Sequence, residues 1–147
     1  MLYLVMTVCF ILSILITPLI KKLAFKIGAI DKPNYRKVHQ KVMPRLGGLA
    51  IYISFVIGIL ILHPQIPYIN AILLGSTIII LTGILDDIFE LSAKVKLLGQ
   101  LAAALVVVLW GGVQVEFINL PFTNDVLEFG FLSIPITVLW IVGITNA

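Results

Sequence analysis

Between Tyr68 and Leu85 the chain carries no charged side chain, and then Asp86, Asp87 and Glu90 follow at once. About 20 apolar residues in a helix cross the roughly 30 Å hydrocarbon core of a bilayer. Runs near that length also lie at about 1–20, 47–62, 95–110 and 131–147. With 61% hydrophobic residues and only 12% charged ones, and a mean hydropathy of +1.16, the chain is predicted to be an all-α integral membrane protein. Residues 1–147 then form a single membrane domain of five spans, at 1–20, 47–62, 68–85, 95–110 and 131–147.

The first apolar run is followed, not preceded, by Lys21 and Lys22, and no Ala-x-Ala pattern comes after it. A cleaved secretory signal has the opposite arrangement. The expectation is an uncleaved first helix, with Gly28 as a helix stop. Cys9 is the one cysteine, so there is no disulfide framework. A membrane bundle accounts for the composition without nucleic-acid binding.

Eight of the ten Lys and Arg lie between Lys21 and Arg45, and the other two are Lys94 and Lys96. With five spans, the loops 21–46 and 86–94 share one side, and the positive-inside rule makes that side cytoplasmic. The N-terminus is then outside, and Asn146 lies at the cytoplasmic end of the fifth span. Ser92 is a candidate N-cap for the fourth helix. Gly111-Gly112 breaks that helix. Beyond it, Val113, Val115 and Phe117 alternate with Gln114 and Glu116, the period of a strand. Pro121 to Asn124 turns that strand into an extracytoplasmic β-hairpin, at about 113–129, with Val126 to Phe129.

An ionised Asp at a membrane-helix centre costs roughly 2.5–3.5 kcal/mol, less towards the interface. The Asp pair therefore needs water, a metal or a cation. The topology puts Asp86, Asp87 and Glu90 on the face that also holds Lys94, Lys96 and the basic loop. Acids that hold a divalent cation, beside cations that hold phosphates, suit phosphoryl transfer. Adjacent acids can divide the work, one facing a cation and one taking a proton. The bland alternative is a solvated helix end for the acids and topogenic charge for the lysines. Lys21, Lys22 and Lys26 fit that alternative, whereas Arg36, Lys37, His39 and Arg45 are clustered among Pro and Gly. Gln100, alone in an apolar helix, is expected to bond to another helix. Trp110, Phe117, Phe122 and Phe129 read as an interfacial aromatic belt.

Three segments together resemble a known family. Asp31-Lys32-Pro33-Asn34-Tyr35-Arg36-Lys37-Val38-His39, with Pro44-Arg45-Leu46-Gly47-Gly48, looks like the first cytoplasmic loop of the bacterial polyprenyl-phosphate N-acetylhexosamine-1-phosphate transferases. Gly83-Ile84-Leu85-Asp86-Asp87, followed by Leu91-Ser92-Ala93-Lys94-Val95-Lys96, resembles their Asp-rich motif. Trp140 to Ala147 resembles the start of their next motif. The similarity runs over essentially the whole chain.

The resemblance implies a reaction at the cytoplasmic face of the bacterial plasma membrane. Undecaprenyl phosphate attacks the sugar-linked phosphorus of UDP-N-acetylglucosamine and UMP leaves. The implied cofactor is Mg²⁺, and the nearest branch starts wall teichoic acid linkage units. Asp86 would deprotonate or position the lipid phosphate, and Asp87 would act beside Mg²⁺ and the diphosphate. The split between the two stays open, with Asp86 the other candidate metal ligand. Arg45, His39, Lys94 and Lys96 are candidate phosphate contacts, and Asn146 matches an active-site Asn. A homodimer is compatible with the reading.

In the family the Asn-Ala pair leads into a segment with further Asp and Gly residues, and full-length members have about ten or eleven helices. The resemblance therefore implies an N-terminal fragment, inactive alone. Two other readings remain. One is an intramembrane prenyltransferase, since Asp86-Asp87-Ile88-Phe89-Glu90 approaches an Asp-Asp-x-x-Asp motif. The other is a non-enzymatic scaffold or a piece of a transporter.

Overall fold

The computed structural model describes residues 2–31, 42–120 and 125–146. It is mostly helical, with α1 (Leu2–Ile27), α2 (Gly47–Leu62), α3 (Ile69–Phe89), α4 (Ala93–Leu105) and α5 (Ser133–Asn146). Two short antiparallel strand pairs accompany them. In one, β1 (Ile30–Asp31) faces β2 (Met43–Pro44); in the other, β3 (Phe117–Asn119) faces β4 (Val126–Glu128). Among the described residues, three helices are long and apolar enough to cross a membrane: Leu2–Ile27, Ile69–Phe89 and Ala93–Trp110. Gly47–Leu62 and Gly130–Asn146 are apolar but shorter. Large apolar side chains such as Tyr3, Phe10, Leu139 and Phe131 stand exposed, the pattern of a surface that meets lipid rather than water.

Contacts divide the chain into two compact units. The first holds Met1–Gln65 and Ile80–Lys96. In it α1 packs on α2, and the core is Ile20, Ala24, Ala29, Leu46 and Ala50, with Ile84 and Ile88 of α3 against it. α1 continues through Lys21, Lys22 and Lys26 rather than ending at 20: it runs past Pro18, and no glycine comes before Gly28. There φ reaches 79°, and the Ala29 N–H bonds back to the Ala24 carbonyl at 2.9 Å. A glycine takes that left-handed conformation without steric cost.

The second unit holds Ile66–Ile79 and Leu97–Ala147, and its core is Ala104, Val108 and Val138, with Ile141 and Val142 packed on it. α3 approaches α4 closely at Gly75, where a Cβ would sit 2.6 Å from Val107 Cγ2 and 3.2 Å from the Ala103 carbonyl oxygen. α4 passes into a π-helical turn at Val106–Trp110, which Gly111-Gly112 ends. The hairpin is present, but its first strand begins at Phe117 and not at Val113. Val115 cannot join a ladder, since its N–H donates to Thr137 Oγ1 at 2.8 Å and its carbonyl accepts from the Ser133 hydroxyl at 2.8 Å. Both hydroxyls belong to α5. The turn expected at Pro121 to Asn124 lies outside the described residues.

Candidate functional site

α3 runs on to Phe89, so Asp86 and Asp87 occupy its last turn instead of opening a loop at 86. The break before α4 is only residues 90–92. Glu90 ends the helix with φ 51°, and its N–H bonds to the Asp86 carbonyl at 2.9 Å. Ser92 directly precedes α4, and its carbonyl accepts from the Lys96 N–H at 3.1 Å.

A helix C-terminus is the negative end of the helix dipole, so two carboxylates there are destabilised unless something compensates. Each has found a different partner. Lys96 Nζ lies 3.1 Å from Asp86 Oδ2. The Leu46 N–H donates to Asp87 Oδ2 at 3.1 Å. This main-chain donor is aimed by an unusual backbone. Leu46 has φ 71°, ψ 15° at the start of α2, a left-handed conformation that costs a non-glycine residue roughly 1–2 kcal/mol. Its side chain is 3% exposed in the core of the first unit, and that burial holds the residue in place.

Arg45 is tied down on both sides. Its N–H donates to the Ala29 carbonyl at 2.9 Å. Its guanidinium meets Asp31 at 3.1 Å and Glu90 at 4.0 Å. The β1–β2 pair brings Asp31 opposite Met43, which sets Arg45 beside the helix end that bears the acids. Lys21 lines a small cleft with Pro44, Arg45 and Gly47, although its sequence context reads as topogenic.

Of the residues singled out from sequence, the structure thus assembles Asp86, Asp87, Arg45 and Lys96 in the first unit. Lys94 is exposed in the first turn of α4 and makes no ion pair among the described residues. His39, Arg36 and Lys37 lie outside the described residues. Asn146, in the second unit, pairs its side-chain amide with that of Gln100. The sequence signals for Asp31 and Glu90 as Arg45 partners, and for the Leu46 N–H as an Asp87 partner, were weak. A main-chain donor leaves no residue-type signature, and contacts 41 residues apart have no local period.

Among the described residues no three His, Cys, Asp or Glu side chains come together to hold a metal. The arrangement is instead a pair of carboxylates with cations and a fixed amide around them. Such a set can balance a bound cation or exchange a carboxylate for a phosphate on Lys96 and Arg45.

Residues 69–147 match the model of glycosyl transferase family 4, and the chain belongs to that family. It is 50% identical, over 95% of its length, to a probable undecaprenyl-phosphate N-acetylglucosaminyl 1-phosphate transferase of Bacillus subtilis. It is 29% identical, over 86% of its length, to an undecaprenyl-phosphate alpha-N-acetylglucosaminyl 1-phosphate transferase of Yersinia pestis. The same name belongs to a Salmonella typhi relative, 37% identical over 60% of the chain. The chain spans 40%, 35% and 24% of these relatives, respectively. No solved structure matches it.

Proposed function

We propose that this chain carries part of the catalytic site of a transferase that moves N-acetylglucosamine 1-phosphate from UDP-N-acetylglucosamine to undecaprenyl phosphate. The observation that carries the reading is the Asp pair at a helix end, one acid on Lys96 and the other on a main-chain amide, in a chain half identical to a relative named for that transfer. A phosphate oxygen of the lipid bonds to the sugar-linked phosphorus. The bond from that phosphorus to the bridging oxygen breaks, and UMP leaves with the oxygen.

Asp86 accepts a proton from the lipid phosphate or orients it. Lys96 then trades Asp86 for a phosphate, which suits a pair in which both partners remain partly exposed. Arg45, Lys94 and His39 add positive charge for the diphosphate, and Asn146 contacts substrate. Two adjacent carboxylates fit a Mg²⁺ ion that completes its shell with phosphate oxygens and water. Asp87, fixed through Oδ2, and Asp86 would hold that ion, which supplies charge neutralisation at the diphosphate when bound.

The same reading takes five spans, the two shorter helices included, with short spans accommodated by local thinning of the bilayer. The Lys- and Arg-rich loops face the cytoplasm of a bacterium, and the lipid-linked sugar starts a wall polymer such as teichoic acid. The test is a chimera in which this chain replaces the matched stretch of the Bacillus subtilis relative. Membranes carrying it should release UMP from UDP-N-acetylglucosamine only when undecaprenyl phosphate is present. A prenylated aromatic product, or ion flux in place of product, would overturn the reading.

A further inference from the structure

Gln100 is only 4% exposed, while Asn146, the last residue of α5, is exposed. The two amides bond reciprocally. Asn146 Nδ2 donates to Gln100 Oε1 at 2.6 Å, and Gln100 Nε2 donates to Asn146 Oδ1 at 3.1 Å. Each amide is also anchored to a main-chain carbonyl. Asn146 Nδ2 donates to the Val142 carbonyl at 3.2 Å and Gln100 Nε2 to the Thr145 carbonyl at 3.4 Å. Carbonyls only accept, so both amide orientations are determined and neither can be flipped without loss.

An amide NH₂ has two hydrogens and its oxygen has two lone pairs. Both hydrogens of Asn146 are used, on Gln100 and Val142. Among the described residues one lone pair on its oxygen has no partner, and the side chain is exposed. We infer that Gln100 is a positioning residue that holds Asn146 as a pure acceptor, so that the substrate group Asn146 meets is a hydrogen donor, an O–H or N–H of the sugar nucleotide, and not a phosphate. The inference rests on the reading of Asn146 as a substrate contact. A pair that served only as interhelical glue would hold the helices together but leave substrate affinity untouched.

The first arm uses the 147-residue chain, labelled with ¹⁵N, in lipid nanodiscs. The side-chain NH₂ of Asn146 exchanges slowly with solvent, and Gln100→Leu abolishes that protection while the backbone spectrum of the rest is kept. The second arm is a kinetic cycle in the chimera. Asn146→Leu and Gln100→Leu each raise KM for UDP-N-acetylglucosamine by about tenfold, the worth of one well-placed hydrogen bond. The double variant is no worse than Asn146→Leu alone, because Gln100 acts through Asn146. The length-swapped pair, Gln100→Asn with Asn146→Gln, recovers part of the affinity, and it carries the test if Gln100→Leu fails to fold.

Inhibition by inorganic pyrophosphate, whose oxygens are almost all acceptors, stays the same in every variant. Additive losses, a weakened pyrophosphate inhibition, or a shift confined to the half-saturating Mg²⁺ concentration would overturn the inference. If Asn146→Leu changes nothing, the reading of Asn146 as a substrate contact falls. If it raises KM and Gln100→Leu does not, the positioning role alone falls.

Discussion

The Asp86–Asp87 helix end and the Gln100–Asn146 pair solve the same problem, holding polar groups at the end of an apolar helix, by opposite means. The acids are held by charge and by one main-chain donor, and they stay partly exposed. Lys96 retains 45% of its side-chain exposure and Asp86 26%. The amides are neutral, reciprocal and anchored to carbonyls, with Gln100 buried. Exposed ion pairs are weak, typically below about 1 kcal/mol, and exchange partners readily. A buried amide such as that of Gln100 is costly to leave unpaired. One region can give up its contacts at little cost and the other cannot.

The sharpest way to break this contrast is to neutralise the acids. In the chimera, Asp86→Asn and Asp87→Asn should each lower the rate of UMP release by about 10²–10⁴-fold, the range for lost acid–base or positioning groups. Thermal unfolding of the 147-residue chain carrying either change should move little, since a carboxylate at a helix C-terminus is not a stabilising group there. A large loss of stability with retained turnover would reverse the comparison.

Packing changes come next. Gly75→Ala places a methyl group 2.6 Å from Val107 Cγ2 and should cost about 1–3 kcal/mol, as overpacked sites do. Leu46→Gly sets two effects against each other. Relief of the left-handed backbone returns roughly 1–2 kcal/mol, whereas loss of a buried leucine side chain costs about 2–5 kcal/mol. Burial wins, so the variant should unfold at lower temperature. A rise in unfolding temperature would show that the backbone at Leu46 stores more strain than its packing offsets.

The ion pairs should give the smallest effects. Lys96→Met should change stability by less than about 1 kcal/mol, with the difference shrinking further in high salt. Glu90→Gln should be smaller still, within roughly 0.5 kcal/mol. Its carboxylate is 82% exposed and 4.0 Å from Arg45. Either variant matched by a stability loss as large as that of Gly75→Ala would mean that the charged region is not the exchangeable one.

The helices are readable because each coincides with a predominantly apolar run. The charged cluster was readable because acids are conspicuous beside Tyr68 to Leu85. What stayed hidden has physical reasons. The two-residue strands β1 and β2 are too short to show a period. The end of α3 lies past the apolar run that predicts the span, because charge ends an apolar run without having to end a helix. Yet Asp86 and Asp87 remain helical once Lys96 and the Leu46 N–H offset the dipole. The expected strand at Val113 lost its pairing to two hydroxyls of α5, which no alternation pattern can reveal. Gln100 was visible as a polar residue in need of a partner, but the partner's identity, 46 residues away, was not.

The β1–β2 clip has a consequence for how sequences of this kind can vary in length. Because Asp31 and Met43 face one another, the chain leaves and re-enters at one place before Arg45 is positioned. Joining two chain ends costs only about 0.6 kcal/mol more for each doubling of the length between them. Insertions or deletions between the two strands should therefore be absorbed outside the clip. Arg45 and Leu46 then keep their places beside the end of α3.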